Sequence, residues 1–354
     1  MAFTPHRRLG AGLLARGAGI ALGILADRLI ADPQRHHPVA CFGSMADALQ
    51  RRVWADSVPR GAIYCAACLS PLAVLGIAAD RATRDHPVAR TLSTAAATWA
   101  VVGATSLARE GDTMASRLAA KDLAGARSQL SHLCGRDPSS LDEPELARAT
   151  VESMAENTAD AAVASIFWGA LAGLPGMLVH RGANTLDAMV GHHNDRFEHF
   201  GRVPARLDDL LDLAPARITG VLACLLAPMI DGDRRRSLFV MARDHSHHPS
   251  PNGGWCESAW AGALGVTLGG RNLYYGSRVE HRPLLGDGPR PTAGKVGDAA
   301  RLVQAVTFAA TGIAAGSLAV AGHLLFYGGV IPHRAAPSGA TRCQRSAARR
   351  EAAR

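Results

Sequence analysis

From Leu302 to Ile331 the chain reads LVQAVTFAATGIAAGSLAVAGHLLFYGGVI, without one Asp, Glu, Lys or Arg. About 20 apolar residues suffice for a helix to cross the hydrocarbon core of a bilayer, so this run can cross with a strong tilt. A segment in lipid must satisfy its backbone polar groups internally, which leaves helices as the building units for runs of this length. Five further apolar runs, at 11–31, 61–79, 91–108, 161–179 and 213–230, alternate with polar stretches. The first carries Arg16, Asp27 and Arg28 and passes straight into polar sequence at ADRLIADP. It reads as an uncleaved first helix rather than a signal peptide. Gly169, Gly173, Pro175 and Gly176 interrupt the run at 161–179 and predict a kinked, broken or re-entrant segment. The predicted fold is all-α: a polytopic integral membrane helical bundle, a single embedded domain over residues 1–332 with polar motif-bearing loops and helices on one face. Residues 333–354, rich in arginine, read as a disordered tail. A soluble bundle of Ala-rich core helices is the competing reading, and the run ending at Ile331 speaks against it.

The formal net charge of +8 comes almost wholly from arginine, since Lys121 and Lys295 are the only lysines. These basic residues are scattered among apolar runs and form no aromatic-studded patch. That argues against nucleic acid as a partner and leaves the lipid bilayer. Cys65 and Cys68 form a CxxC inside an apolar run with no second pair, which suits helix packing better than zinc or redox work.

Chemistry-bearing residues gather in four polar clusters. In VESMAENTAD, Glu152, Glu156 and Asp160 recur every fourth residue. On one helix they would lie in a row and repel by a few tenths of a kcal/mol per pair, unless a metal ion or arginines stand beside them. Ser140 and Glu143 form a capping box that starts this helix near Leu141. A second cluster sets Arg181, Asn184 and Asp187 at three-residue spacing, with Asp195, Arg196, Asp208 and Asp209 following. A third, HHPSPNGGWCE, offers His248, Ser250, Asn252, Gly253, Gly254 and Glu257, and its Asn-Gly-Gly leaves backbone N–H groups to cradle a phosphate. The fourth, DRLIADPQRHHPV, holds Asp27, Asp32, His36 and His37. Adjacent histidines point to different sides of a helix and no HExxH occurs, so zinc is not expected. Hard carboxylate oxygens suit Mg²⁺, which binds through one or two carboxylates plus substrate phosphates.

Taken in order, DPQRHHPV, ESMAENTAD, NTLDAMVGHHNDRFEHFG, ARLDDL, PARIT, HPSPNGGW and GALGVTLGG resemble the motifs of the CobD/CbiB family. These are the integral-membrane adenosylcobinamide-phosphate (cobinamide) synthases of cobalamin biosynthesis. The resemblance extends over most of the chain, short of its first residues and its arginine tail. Ala161, Ser165 and Cys256 depart from the pattern, and none of these departures removes a carboxylate.

The resemblance implies a ligase that uses ATP as cosubstrate. It would join (R)-1-amino-2-propanol or its O-phosphate to the f-side-chain carboxyl of adenosylcobyric acid. Such chemistry needs an activated acyl group, neutralised phosphate charge and an acceptor for the amine proton. Glu152, Glu156, Asp160 and Asp187 are assigned to Mg²⁺–ATP. Arg181, Asn184, Arg196, Ser250 and the Asn252–Gly254 backbone are assigned to phosphate and substrate. His37 or His248 is the candidate base, with Asp32 orienting it. ATP and the corrinoid are cytosolic, so the resemblance implies a multi-pass protein of the cell membrane with its active face in the cytosol. A homo-oligomer, or contact with neighbouring corrinoid-pathway enzymes, is compatible with it. Rival readings are an intramembrane Mg²⁺-dependent prenyl or phospho-alcohol transferase, and a non-enzymatic membrane sensor or transporter.

Overall fold

A computed structural model describes residues 5–30, 37–192, 194–274 and 278–328. Its helices are α1 (Pro5–Ile30), α2 (Pro38–Val53), α3 (Val58–Ala82), α4 (Pro87–Val101), α5 (Ala104–Ala119) and α6 (Leu123–Leu130), followed by α7 (Glu143–Asn157). A π-helical turn (Thr158–Val163) joins α7 to α8 (Ala164–Val190). Then come α9 (Arg202–Leu226), α10 (Arg234–Asp244), α11 (Gly253–Leu264), the hairpin β1 (Leu268–Tyr274) and β2 (Arg278–Leu285), and α12 (Ala293–Gly328). Among the described residues, five stretches are long and apolar enough to cross a membrane: His6–Ile30, Val58–Ala82, Glu143–Val190, Arg202–Ile230 and Ala293–Phe326. The chain is an all-α polytopic membrane protein with one small antiparallel sheet.

Helix α1 packs between α4 and α12 on small residues, which let membrane helices approach closely. A Cβ on Gly19 would lie 2.7 Å from the Thr91 carbonyl oxygen, and one on Gly17 would lie 3.2 Å from that of Ala315. Gly12 meets Arg90 and Gly23 meets Thr98, so α1 and α4 run parallel. Gly10 meets Gly322, whereas Gly17 meets Ala315, so α12 runs the other way. The end of α1 and the start of α12 therefore share one end of the bundle. Asp27 Oδ2 accepts the Thr105 N–H there at 3.0 Å, and Gly111 lies against Met154 and Ala300. The main core forms where α5, α7, α11 and α12 meet.

Helix α8 is not one rod. Its 27 residues would span about 40 Å if straight. Yet Asp160, just before it, and Asp187, near its end, act electrostatically on one another. The chain doubles back at Gly173, whose φ of 71° and ψ of −154° lie outside the helical region. Gly169 on the first arm meets Met177 on the second. Arg16 Nη1 caps the first arm at the Ala170 carbonyl, 3.2 Å away. Asp80 stands against the turn between Arg16 (3.9 Å) and Arg90 (3.5 Å). Of the predicted kinked, broken or re-entrant segments, the structure shows one broken at Gly173 and folded back on itself. Its open end returns to the end of the bundle that carries α7.

Three local expectations change. The run 91–108 is not one helix: it breaks at Val102–Gly103, and Asp27 caps the new helix α5 that follows. Helix α7 starts from Asp142, which accepts the Glu145 N–H at 3.1 Å, not from Ser140. The polar stretch after α11 contains the β-hairpin, with Gly270 opposite Arg282 and Asn272 opposite Glu280. The predicted tail, 333–354, lies outside the described residues.

Candidate active site

The open end of the α8 hairpin gathers acidic side chains from three places in the sequence. His180 and Asp212 are buried, with His180 Nε2 2.8 Å from Asp212 Oδ1. Asp208, one turn earlier on α9, is buried as well and takes a hydrogen bond from Asn184. Ligand atoms of His180, Asp208 and Asp212 all lie within 4.8 Å of one another. The charges of Asp212, Asp208, Glu156 and Asp187 all bear on Asp160. Asp208 Oδ1 and His180 Nδ1 are buried with no hydrogen-bond partner. A buried set of like charges with an orphaned oxygen is costly unless a cation completes it. His180, Asp208 and Asp212, with the charges of Asp160 and Asp187 acting on them, make an oxygen-rich surround of the kind that fits Mg²⁺.

Beside this pocket lies a second cluster. His248 Nε2 is 3.3 Å from Glu257 Oε1 and 3.9 Å from Glu156 Oε1. His248 Nδ1 accepts the Ser250 N–H at 3.1 Å, which leaves Nε2 facing the carboxylates and Arg282. Arg282 Nη1 reaches all three groups: His248 at 3.1 Å, Glu257 at 3.4 Å and Glu156 at 4.0 Å. A guanidinium thus stands where a metal ion would otherwise join these ligands. Burial, and then the charges of Glu152 and Glu156, push the Glu257 carboxyl up to about 7. Burial opposes a charged His248, but the hydrogen bond and charge of Glu257 prevail, so its proton affinity is raised. Glu156 belongs to this second cluster, its charge also bears on Asp160, and it is the most exposed of the three, its side chain 34% accessible.

A family profile described as CobD/Cbib protein matches residues 20–303. The chain belongs to the CobD/CbiB family. A cobalamin biosynthesis protein CobD of Mycobacterium tuberculosis is 44% identical over 289 residues, covering 81% of this chain and 90% of its own. Its counterpart in Geobacter metallireducens is 39% identical over 280 residues, covering 78% and 88%. That of Rhodobacter capsulatus is 49% identical over 194 residues, covering 54% and 60%. No solved structure matches the chain. Membership places this CobD/CbiB protein in cobalamin biosynthesis, in a biosynthetic enzyme's role.

The predicted acidic row of this CobD/CbiB chain does not stay together. Glu152 is wholly buried and engaged by arginines: Arg136 Nη2 at 2.5 Å, Arg148 Nη1 at 3.0 Å, and also the Gly269 N–H at 2.7 Å. Both its oxygens are taken, so it ties α7 to β1 rather than joining Asp160. The π-helical turn explains the split, because it shifts the i+4 register between Glu156 and Asp160. Arginines answer one end of the row, and the aspartate cluster stands at the other.

The glycine motif also works differently from a free anion cradle. Ser250 Oγ already accepts the Asn252 and Gly253 N–H groups at 3.2 and 3.1 Å. The Asn252 amide is spent on the Asp209 carbonyl and Arg217. The glycines are needed for close approach: a Cβ on Gly253 would lie 2.7 Å from both Glu156 Oε1 and His248 Cε1. His37 and Arg181 line a common cleft of about 570 Å³ between α2 and the second arm of α8, with Asp47 on its wall. Arg196 sits elsewhere, over Trp54 and Phe197. Asp32 lies outside the described residues.

Sequence reading missed His180, Asp212, Arg136, Arg148 and Arg282. His180, Asn184 and Asp187 share the i, i+4, i+7 spacing of one helix face, and Asp208 and Asp212 are one turn apart. Those spacings were a usable signal. Arg282 carries none, since a hairpin register delivers it.

Proposed function

We propose that this protein forms the amide bond between the f-side-chain carboxyl of adenosylcobyric acid and (R)-1-amino-2-propanol or its O-phosphate, driven by ATP. The observation that carries the reading is Glu156, which joins an oxygen-rich acidic pocket to a proton-accepting pair. Asp160, Asp187, Asp208 and Asp212 would hold Mg²⁺, with His180 fixing Asp212. The cation, when bound, offsets the negative charge of the nucleotide phosphates. Arg181, at the mouth of the cleft it shares with His37, meets phosphate oxygens.

The substrate carboxylate oxygen attacks the terminal phosphorus of ATP, and ADP leaves. The amine nitrogen then attacks the acyl carbon, inorganic phosphate leaves, and the amine proton passes to Glu156 and on to the His248–Glu257 pair. Arg282 steadies the negative charge of those carboxylates. The α8 hairpin returns Arg181 and Asp187 to the end that bears α7, so one face of the membrane serves the whole site, and we assign it to the cytosol, where ATP is.

Purified protein in detergent, supplied with adenosylcobyric acid, each amine, Mg²⁺ and ATP, is expected to yield a corrinoid heavier by the condensed amine, with ADP formed in equal amount. An unchanged corrinoid mass under those conditions overturns the reading.

A further inference from the structure

Helix α9 keeps Val221, Leu225 and, just past its end, Met229 exposed at 40%, 44% and 63%. It belongs to a stretch long and apolar enough to enter a membrane, so this ridge has lipid as its natural neighbour. After three further residues the chain turns into α10, whose first three residues are Arg234, Arg235 and Arg236. Helix α10 packs back along α9: Ser237 Oγ meets Cys224 Sγ at 3.1 Å, and Arg234 Nε donates to the Leu225 carbonyl at 2.6 Å. Its other face leaves Leu238 and Phe239 exposed, Phe239 at 61%. Exposed apolar side chains on the two adjoining helices thus stand beside a cluster of arginines, and Arg243 lies over the Phe239 ring.

We infer that α10 is an interfacial helix that docks on anionic phospholipid, with Leu238 and Phe239 in the acyl boundary and Arg234 and Arg235 on the headgroup phosphates. Proximity and charge carry it: Arg234 ties α10 to the Leu225 carbonyl of α9, so the exposed apolar side chains of the two helices belong to adjoining surfaces. Arginines at the rim of such a ridge sit at the depth of the phosphates, where each basic residue strengthens attachment to an anionic surface. Asp231 and Asp233 stand beside Arg234, Arg235 and Arg236, with Asp233 capping α10 through the Arg236 N–H, and Arg243 is paired with Asp244 and Asp287, so the basic end keeps an excess of one positive charge. This surface lies apart from the acidic pocket and does not depend on the reaction proposed above.

Native mass spectrometry of the detergent-purified full chain, titrated with phosphatidylglycerol or phosphatidylcholine, tests the charge half. Phosphatidylglycerol is expected to be retained, and Arg234→Gln with Arg235→Gln is expected to weaken that retention by about tenfold or more. Equal retention of the two lipids, or retention unmoved by the double substitution, overturns the proposal. The apolar half is tested with Phe239 replaced by photoreactive p-benzoylphenylalanine, a near isostere that leaves the arginines intact. Irradiation in phosphatidylcholine–phosphatidylglycerol vesicles is expected to give lipid adducts at this position, and their absence overturns the docking even where the double variant fails to fold.

Discussion

His180 Nε2 stands 2.8 Å from Asp212 Oδ1, and neither residue is more than 2% exposed. The pair joins the second arm of the α8 hairpin to α9 and brings the aspartates of both around one point. Replacing Asp208 with Asn is expected to lower corrinoid amidation by roughly a hundredfold or more and to raise the Mg²⁺ needed for half-maximal rate. Without divalent cation the same variant is expected to melt no lower than the parent, because it removes one of several repelling buried charges. A variant that loses activity and melts far lower in both conditions would mark Asp208 as structural.

Glu152 and Glu156 should separate sharply, although one helical turn divides them. Glu152→Gln leaves Arg136 and Arg148 facing a neutral amide in a closed interior, and breaking a buried pair costs about 3–5 kcal/mol. Glu156→Gln changes a partly exposed group and is expected to spare thermal stability while abolishing amidation. Melting curves and product assays on the two purified variants check this, and equal loss of stability would refute it.

How much of this was readable beforehand depends on the range of the signal. Spanning runs, the break at Gly173 and Pro175, and the placing of carboxylates beside apolar helices are local patterns, and they were legible. The fate of Glu152 was not, because Arg136 and Gly269 reach it from outside its helix. The π-helical turn at Thr158–Val163 has no periodic signature, so the i+4 row looked continuous. Ser250 was read as a ligand contact, whereas it closes its own loop. Position in the chain revealed which residues were costly, and only the fold revealed what satisfies each one.

Glu257 makes stability depend on pH with a definite sign. Its carboxyl, ordinarily near 4.5, is raised to about 7 in the folded protein. Between those values the folded state holds more protons than the unfolded one, so stability falls as pH rises through that window. His248, also raised, acts in the same direction, its contribution being lost as pH climbs through its folded value. Denaturation followed from pH 5 to 8 is expected to show a declining midpoint, and Glu257→Gln is expected to make the slope measurably shallower. If the pair accepts the amine proton, amidation rises over the same interval while stability declines. A stability curve that rises instead would contradict the buried, proton-holding state of Glu257.

The re-entrant turn makes a prediction about topology as well as stability. Gly173 combines a positive φ with a Cβ direction that points into Asp80 and towards Arg16 Nη2 at 2.8 Å. Alanine there must strain the backbone and push on the ion cluster that caps the hairpin tip. Gly173→Ala is expected to cost roughly 1–3 kcal/mol and to disturb amidation at the far, open end. A hairpin that turns back inside the bilayer also leaves its two flanks on one side of the membrane. Single cysteines placed at exposed Ser131, before α7, and at exposed Asp195, after α8, are expected to react with an impermeant reagent from the same side. A cysteine at exposed Arg84, between α3 and α4, is expected to react from the other, because α3 ends and α4 begins opposite the site. Labelling of Ser131→Cys and Asp195→Cys from opposite sides would mean that α8 crosses, and it would take apart the acidic pocket that His180 and Asp187 close.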